Sequence, residues 1–381
     1  MRVGRRARWV VPAAAVAVTA GVIAAVSIPA AQAAPDLPAK SAAALLAGVS
    51  RDAAVPPLTG TVTESASLGL PQLPSSGSAT SPVSLLAGSH TVNVSYADAT
   101  HFRLALPQPQ QETDVIADGS KLWVWESTQD AVTEYVPASG KLPARTTAPT
   151  PAALTPQQAA AQVLQAVGKT TVVSTQANVL VAGQAAYQLV LAPKDTRSLV
   201  GRIVIAVDAK HGLPLRVQLY ARGASTPAFQ TGYTALRFTA PGASSFAFTP
   251  PSGAKLSVVK LSAATHKPAA ARPDASGLRH YGTGWLAVAA FPQQDLTAAG
   301  RTGAAASGGS SDAYSASGDS IGVSSQELLK ALLASGEPVR GAWGSGTLVK
   351  TSLVSMLITG GTVYVGAVAP SVLYAAVGHT S

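Results

Sequence analysis

The residues of this chain that could do chemistry are few and widely separated. Gly318-Asp319-Ser320-Ile321-Gly322 fits the G-x-S-x-G pattern that presents a nucleophilic serine on a strained strand-to-helix turn. Such a turn needs a buried strand immediately before it, and Ser307 to Ser317 is a Gly/Ser-rich tract instead. A serine hydrolase at Ser320 therefore ranks far below a binding function. The six histidines (90, 101, 211, 266, 280 and 379) include no close pair, and none is spaced with a carboxylate for a metal site. Carboxylates are thinly spread, so no pair of general acid and base can be named. With no cysteine in 381 residues, disulfides, thiol chemistry and thiolate-bound metal are excluded together. The reading is a non-enzymatic chain without a cofactor. Asn93-Val94-Ser95 is a glycosylation triplet by pattern only, since it falls in a strand and the N-terminal signal looks bacterial.

What remains is apolar surface. Phe102 and Leu104, Trp123 and Trp125, Tyr187 and Leu189, Ile203 and Ile205, and Val217 and Leu219 are each one residue apart in strand-like runs. A sheet turning these ten side chains inward could shelter an acyl chain, at about 0.8 kcal/mol per buried methylene. The same alternation also fits an ordinary filled core. Trp123 and Trp125 stand out, because two tryptophans on one strand face are hard to pack around.

The elements that must position them can be read from caps and turns. A helix is expected over about Pro38 to Val49, then a Gly/Pro/Ser-rich loop, Gly69 to Ser84, between two strands. Period-two alternation begins at Thr91, with Val92, Val94 and Tyr96, and continues through Phe102 to Leu106. Asp118-Gly119 is a hairpin turn joining Val115-Ile116 to Leu122–Glu126, and Ala131 to Val136 is the next strand. Thr155-Pro156-Gln157-Gln158 is a helix start, running to about Val167. Strands resume at Tyr187, at Ile203 and, after a turn through Asp208 to Gly212, at Leu215. Phe246-Ala247-Phe248 reads as the last strand of this sheet, stopped by Pro250-Pro251.

Lys260 to Gly277, rich in Ala, Pro and Lys, reads as a linker. A smaller domain is expected from about Tyr281: a strand over Trp285 to Phe291, then a flexible insertion over Ala304 to Ser317. A capping box at Ser324 to Glu327 starts a helix ending near Gly336. Strands follow over Thr347 to Ile358 and Val363 to Val368, and a last helix over Pro370 to Val377.

The N-terminus reads as an export signal. Arg2, Arg5, Arg6 and Arg8 precede an apolar run from Trp9, and Ala31-Gln32-Ala33 offers the small residues a signal peptidase needs. Cleavage after Ala33 and export by the general secretory route are expected. The outcome is an extracellular protein or one on the outer face of the cytoplasmic membrane. The rival reading is a retained anchor, since the run to Ile28 is about a bilayer's thickness. The rest of the +9 formal charge is scattered, which suits an anionic membrane surface and excludes a nucleic-acid interface.

Three motifs carry a family resemblance: His101-Phe102-Arg103-Leu104, the Asp118-Gly119 hairpin with Leu122-Trp123, and Phe246-x-Phe248-x-Pro250-Pro251-x-Gly253. Their order and spacing, with Arg202 to Asp208 followed by Gly212-Leu213-Pro214-Leu215, resemble the LolA-like lipoprotein carriers and the related MucB/RseB envelope regulators. Val363 to Pro370 is similar to the tail of the small second domain in the regulators. The resemblance implies an α+β fold, a curved antiparallel half-barrel sheet covered by helices, plus a small C-terminal α+β domain. The expected division is 1–33 signal peptide, 34–260 half-barrel domain, 261–280 linker and 281–381 small domain. It implies an apolar cavity for a lipid or lipoprotein acyl chain. The alternative partner is the extracytoplasmic domain of a membrane anti-sigma factor.

Overall fold

The computed structural model describes residues 35–49, 55–69, 87–137, 140, 142, 155–165, 168–261, 278–293 and 334–378. The export signal, nearly all of the Gly69 to Ser84 stretch, the Ala304 to Ser317 tract, Ser320 and the capping box at Ser324 lie outside these residues, as does most of the expected linker.

Alternating strands separated by tight turns build most of the first sheet as two meanders. The first comprises β1 (Leu58–Ser67), β2 (Ala87–Asp98), β3 (His101–Gln108), β4 (Gln111–Asp118), β5 (Leu122–Glu126) and β6 (Ala131–Pro137). The second comprises β7 (Thr171–Val181), β8 (Gln184–Pro193), β9 (Val200–Asp208), β10 (Pro214–Ala221) and β11 (Phe229–Arg237). Antiparallel pairing of β1 with β11 fuses the meanders, and β12 (Lys255–Leu261) adds in parallel beside β6. The result is an open, curved half-barrel with β12 and β7 at its edges. Two helices, α1 (Ala42–Val49) and α2 (Pro156–Gln165), pack on it.

The turns follow from their residues. Asp118 accepts the amides of Ser120 and Lys121 at 2.9 and 2.8 Å, and Gly119 sits at φ 91°. A Cβ at Gly119 would lie 2.7 Å from His101 Nε2, so only glycine fits this turn. At α2 the expected capping box is present: Gln158 donates its amide to Thr155 Oγ1 at 3.3 Å, and Thr155 donates to Gln158 Oε1 at 3.0 Å.

A second sheet is formed by β13 (Arg279–Tyr281), β14 (Val288–Pro292), β15 (Glu337–Gly341), β16 (Gly344–Lys350), β17 (Ser355–Thr359) and β18 (Thr362–Gly366), in the order β13-β14-β18-β17-β16-β15. Helix α3 (Pro370–Gly378) buries Leu373, Ala376 and Val377 against it, with Leu357 and Tyr364 in the same cluster.

Several expectations are corrected. Phe246 ends a 3-10 turn, Ala243–Phe246, in which Ser245 donates to Gly242 O at 2.9 Å. Pro241-Gly242 and the two serines curl the chain there, and the last strand is β12, inside a stretch read partly as linker. Helix α1 starts at Ala42, because Ser41 Oγ accepts the Ala44 amide at 3.2 Å and so caps it there. The strand expected over Thr347 to Ile358 is two strands, since Thr351 Oγ1 accepts the amides of Leu353 and Val354 at 3.3 and 2.9 Å and turns the chain. Trp285 lies in a 3-10 turn before β14, and β7, β11 and β15 were not anticipated.

Removing the Thr155 cap with Thr155→Ala should cost roughly 1 kcal/mol. Thermal unfolding should then shift down by about 2–4 °C, and an unchanged midpoint would show that α2 is held by packing alone.

Candidate binding face

Register decides which side chains meet. Tyr187, Leu189 and Leu191 of β8 stand opposite Val207, Ile205 and Ile203 of β9, and Ile205 and Ile203 stand opposite Val217 and Leu219 of β10. Directly paired residues share a face, so six of the ten sequence candidates form one apolar surface. The same surface continues to the other meander. Leu219 pairs Phe229, Phe229 pairs Ala66 and Ala66 pairs Gly88. Alternation along β2 leads from Gly88 to Val94, which pairs Leu104, with Phe102 opposite Tyr96. Phe102 and Leu104 therefore lie on this interior face, against Val115, Ala117, Leu122 and Leu142.

Three elements cover the face over β8 to β10. Helix α1 inserts Leu45, and α2 contributes Ala159 and Ala160. The third element comes from the second sheet: Leu353, in the turn made by Thr351, packs into the same cluster, with Val354, Trp285 and Ala367 around it. Backbone bonds hold this junction, from Leu199 N to Ala367 O at 2.9 Å, Ala369 N to Arg197 O at 2.7 Å and Ser352 N to Leu68 O at 2.9 Å. Trp285 Nε1 donates to Thr171 Oγ1 at 2.8 Å.

Polar contacts pin the covering elements at several points. Tyr187 Oη donates to Pro38 O at 2.9 Å, and Lys40 Nζ lies 4.7 Å from the centre of the Tyr187 ring. Asn178 Nδ2 donates to Pro35 O at 3.3 Å. Gln157 Nε2 of α2 donates to Pro214 O and to Tyr233 Oη, both at 3.2 Å. Burial pushes the Tyr233 phenol up to about 12.

The interior face is not wholly apolar. Glu64 of β1 is paired across the sheet with Thr231 on one side and His90 on the other, and Glu64 and Thr231 are buried. All three are engaged. Sequence reasoning missed this polar row, although Glu64 follows Val62 at the same parity in its strand.

Trp123 and Trp125 are on the opposite face from Phe102 and Leu104. Phe102 pairs Ala117 and Ala117 pairs Leu122, so their alternate neighbours Ile116 and Trp123 point the other way. There Trp123 packs on Phe248, with ring centres 5.7 Å apart, in a cluster with Ile116, Val132 and Trp125. Phe246 meets His101 edge-on at 6.0 Å. The three motifs of the family resemblance therefore pack on one another, and their aromatic rings brace the outer face. The ten candidates do not line a single surface.

Asp114 lies on this outer side, opposite Trp125 and ion-paired with Arg103. Burial pushes its carboxyl up to about 6, against the opposing pull of Arg103. Among the described residues no group of three His, Asp or Glu side chains could hold a metal, and no helix is long and apolar enough to cross a membrane.

No protein-family model and no curated protein matches this chain. Among solved structures it is similar to the Pseudomonas aeruginosa MucA/MucB complex, at 14% identity over 88% of this chain and 95% of that one, with a TM-score of 0.38. It is also similar to a LolA superfamily protein from Nitrosomonas europaea, at 11% identity over 55% of this chain and 99% of that one, with a TM-score of 0.19. A conserved protein from Thermus thermophilus matches at 10% identity over 56% of this chain and 97% of that one, with a TM-score of 0.30. These include both groups that the sequence motifs resemble. With every TM-score below 0.5, the functional reading rests on this chain's own residues.

The Asp114 carboxyl sets a pH dependence. Its ordinary value is 3.8 and its folded value about 6, so the native state holds a proton between those limits that the unfolded chain has lost. Its stabilising contribution is fully present below about pH 4 and is lost as pH rises through 6. Relative to wild type, Asp114→Asn should therefore gain stability between pH 4 and pH 7, by up to about 3 kcal/mol. Thermal unfolding of both proteins at the two pH values checks this, and a pH-independent difference would contradict it.

Proposed function

We propose that this chain is an exported, non-enzymatic binding protein that holds a lipid or lipoprotein acyl chain against the interior face of its half-barrel. The supporting observation is the continuous apolar surface of Tyr187, Leu189, Ile203, Ile205, Val217 and Leu219 beneath a light cover. Leu45 is the one buried side chain of an eight-residue helix. A helix that short has little stability of its own. Lifting Leu45 costs about 2 kcal/mol, the half-buried Leu46 and Val49 add to it, and an acyl chain's methylenes at about 0.8 kcal/mol each offset the sum. The ligand thus needs no charged contact to displace the helix.

In this reading the signal directs the protein through the Sec route to the outer face of the membrane or beyond. Residues 34–260 hold the cargo and residues 281–381 form a small domain that regulates access through Leu353 and offers a surface to a partner or the membrane. A second reading shares the fold: a regulator that binds the extracytoplasmic domain of a membrane anti-sigma factor. It is favoured by the same Leu353, which already occupies part of the apolar cluster. A pull-down from membranes separates the two, since only the regulator retains an anti-sigma protein.

Titration with a fluorescent fatty-acid probe tests the carrier reading. Wild type should bind it, and Ile205→Asn or Leu189→Asn, checked for folding by circular dichroism, should weaken binding at least tenfold. Trp125→Ala, on the other face, should leave affinity unchanged. A folded wild type that ignores the probe, or a loss confined to Trp125→Ala, would contradict the assignment.

A further inference from the structure

Four sheet edges are present among the described residues, and three are blunted against pairing. β7 breaks register between Gln176 and Val179, β13 is three residues long, and β15 contains Pro338 between Glu337 and Val339. β12 has none of these three devices, and its guard is charge alone: Lys255 and Lys260 near its two ends. Its seven residues pair without a break along β6 and include no proline. It is the outermost strand, and Leu256, Val258 and Val259 are 51%, 54% and 40% exposed.

The backbone of β12 is poised to accept another strand. Lys255 donates its amide to Asp130 O at 2.8 Å, so the amide of residue 255 faces β6. Alternation then turns the N–H and C=O groups of Leu256, Val258 and Lys260 to the open side. On the outer face Leu256 and Val258 stand beside Val132 and Glu134, which in turn pair Trp125 and Trp123. The exposed apolar stripe is thus the margin of the tryptophan cluster.

Charge selects the occupant. Lys255 and Lys260 are exposed near the two ends of β12, and neither is paired among the described residues. A two-fold pairing of β12 with a second copy is antiparallel, and centred on Val258 it sets Lys260 opposite Leu256 and gathers four lysines, with no carboxylate, along one seam. Like charges gathered in this way repel. An extended segment with a carboxylate near each end meets attraction at the same places. We propose that β12 is a strand-addition site for an extended acidic segment of a partner protein, which pairs with the open edge and rests its apolar side chains beside Leu256 and Val258. The site is independent of the interior face and of any cargo held there.

The test uses the full chain and a fluorescein-labelled nine-residue peptide of alternating valine and threonine with a glutamate near each end. Controls are the same peptide with lysines for glutamates and one with a central proline. Anisotropy should show binding of the acidic peptide at least tenfold tighter than either control. The charge reversal Lys255→Glu with Lys260→Glu should invert the preference between the acidic and basic peptides. Val258→Pro removes an outward amide that β6 does not use, so it should abolish binding while circular dichroism stays unchanged. Equal binding of the proline peptide, no binding of the acidic peptide, or wild-type dimers that Val258→Pro dissociates would each overturn the proposal.

Discussion

The structure depends on one constraint: a strand shows alternate residues to opposite faces, and pairing carries that choice from strand to strand without loss. Across the half-barrel the register places Phe102, Leu104, Tyr187, Leu189, Ile203, Ile205, Val217 and Leu219 on a single side. Such a surface cannot stay in water. The chain covers it with two short helices and with a turn from the second sheet, and each cover contributes only a few apolar side chains.

That economy links fold to function. A cover made of Leu45, two alanines of α2 and Leu353 adds hydrogen bonds from Tyr187 and Gln157 to its packing. The second sheet is joined to the first by backbone bonds at residues 197–199 with 367–369, and by Ser352 N to Leu68 O beside Leu353. The outer face is organised differently. There the chain after β11 crosses β3 to β5 and braces them with Phe246 and Phe248 before it forms β12.

Local chemistry was legible in the sequence, and long-range register was not. The Asp118-Gly119 turn and the Thr155 capping box follow from residues within four positions of one another, and both are present. Trp123 and Trp125 have the same spacing as Phe102 and Leu104. Only the alignment of Leu122 with Ala117 shows that the pairs face opposite ways. Phe246 and Phe248 have strand spacing too, and the curl imposed by Pro241-Gly242 and the serines overrides it. β7 escaped notice because most of its middle is exposed and shows no alternation. β12 was hidden by the Ala, Pro and Lys composition that begins at its end.

The most direct measurement is mass spectrometry of lipid extracted from the protein purified under native conditions. A covered apolar face that shelters a hydrocarbon tail predicts an acyl lipid near one equivalent per chain, lost in Ile205→Asn. A bare wild-type protein that also fails to take up added lipid would contradict it.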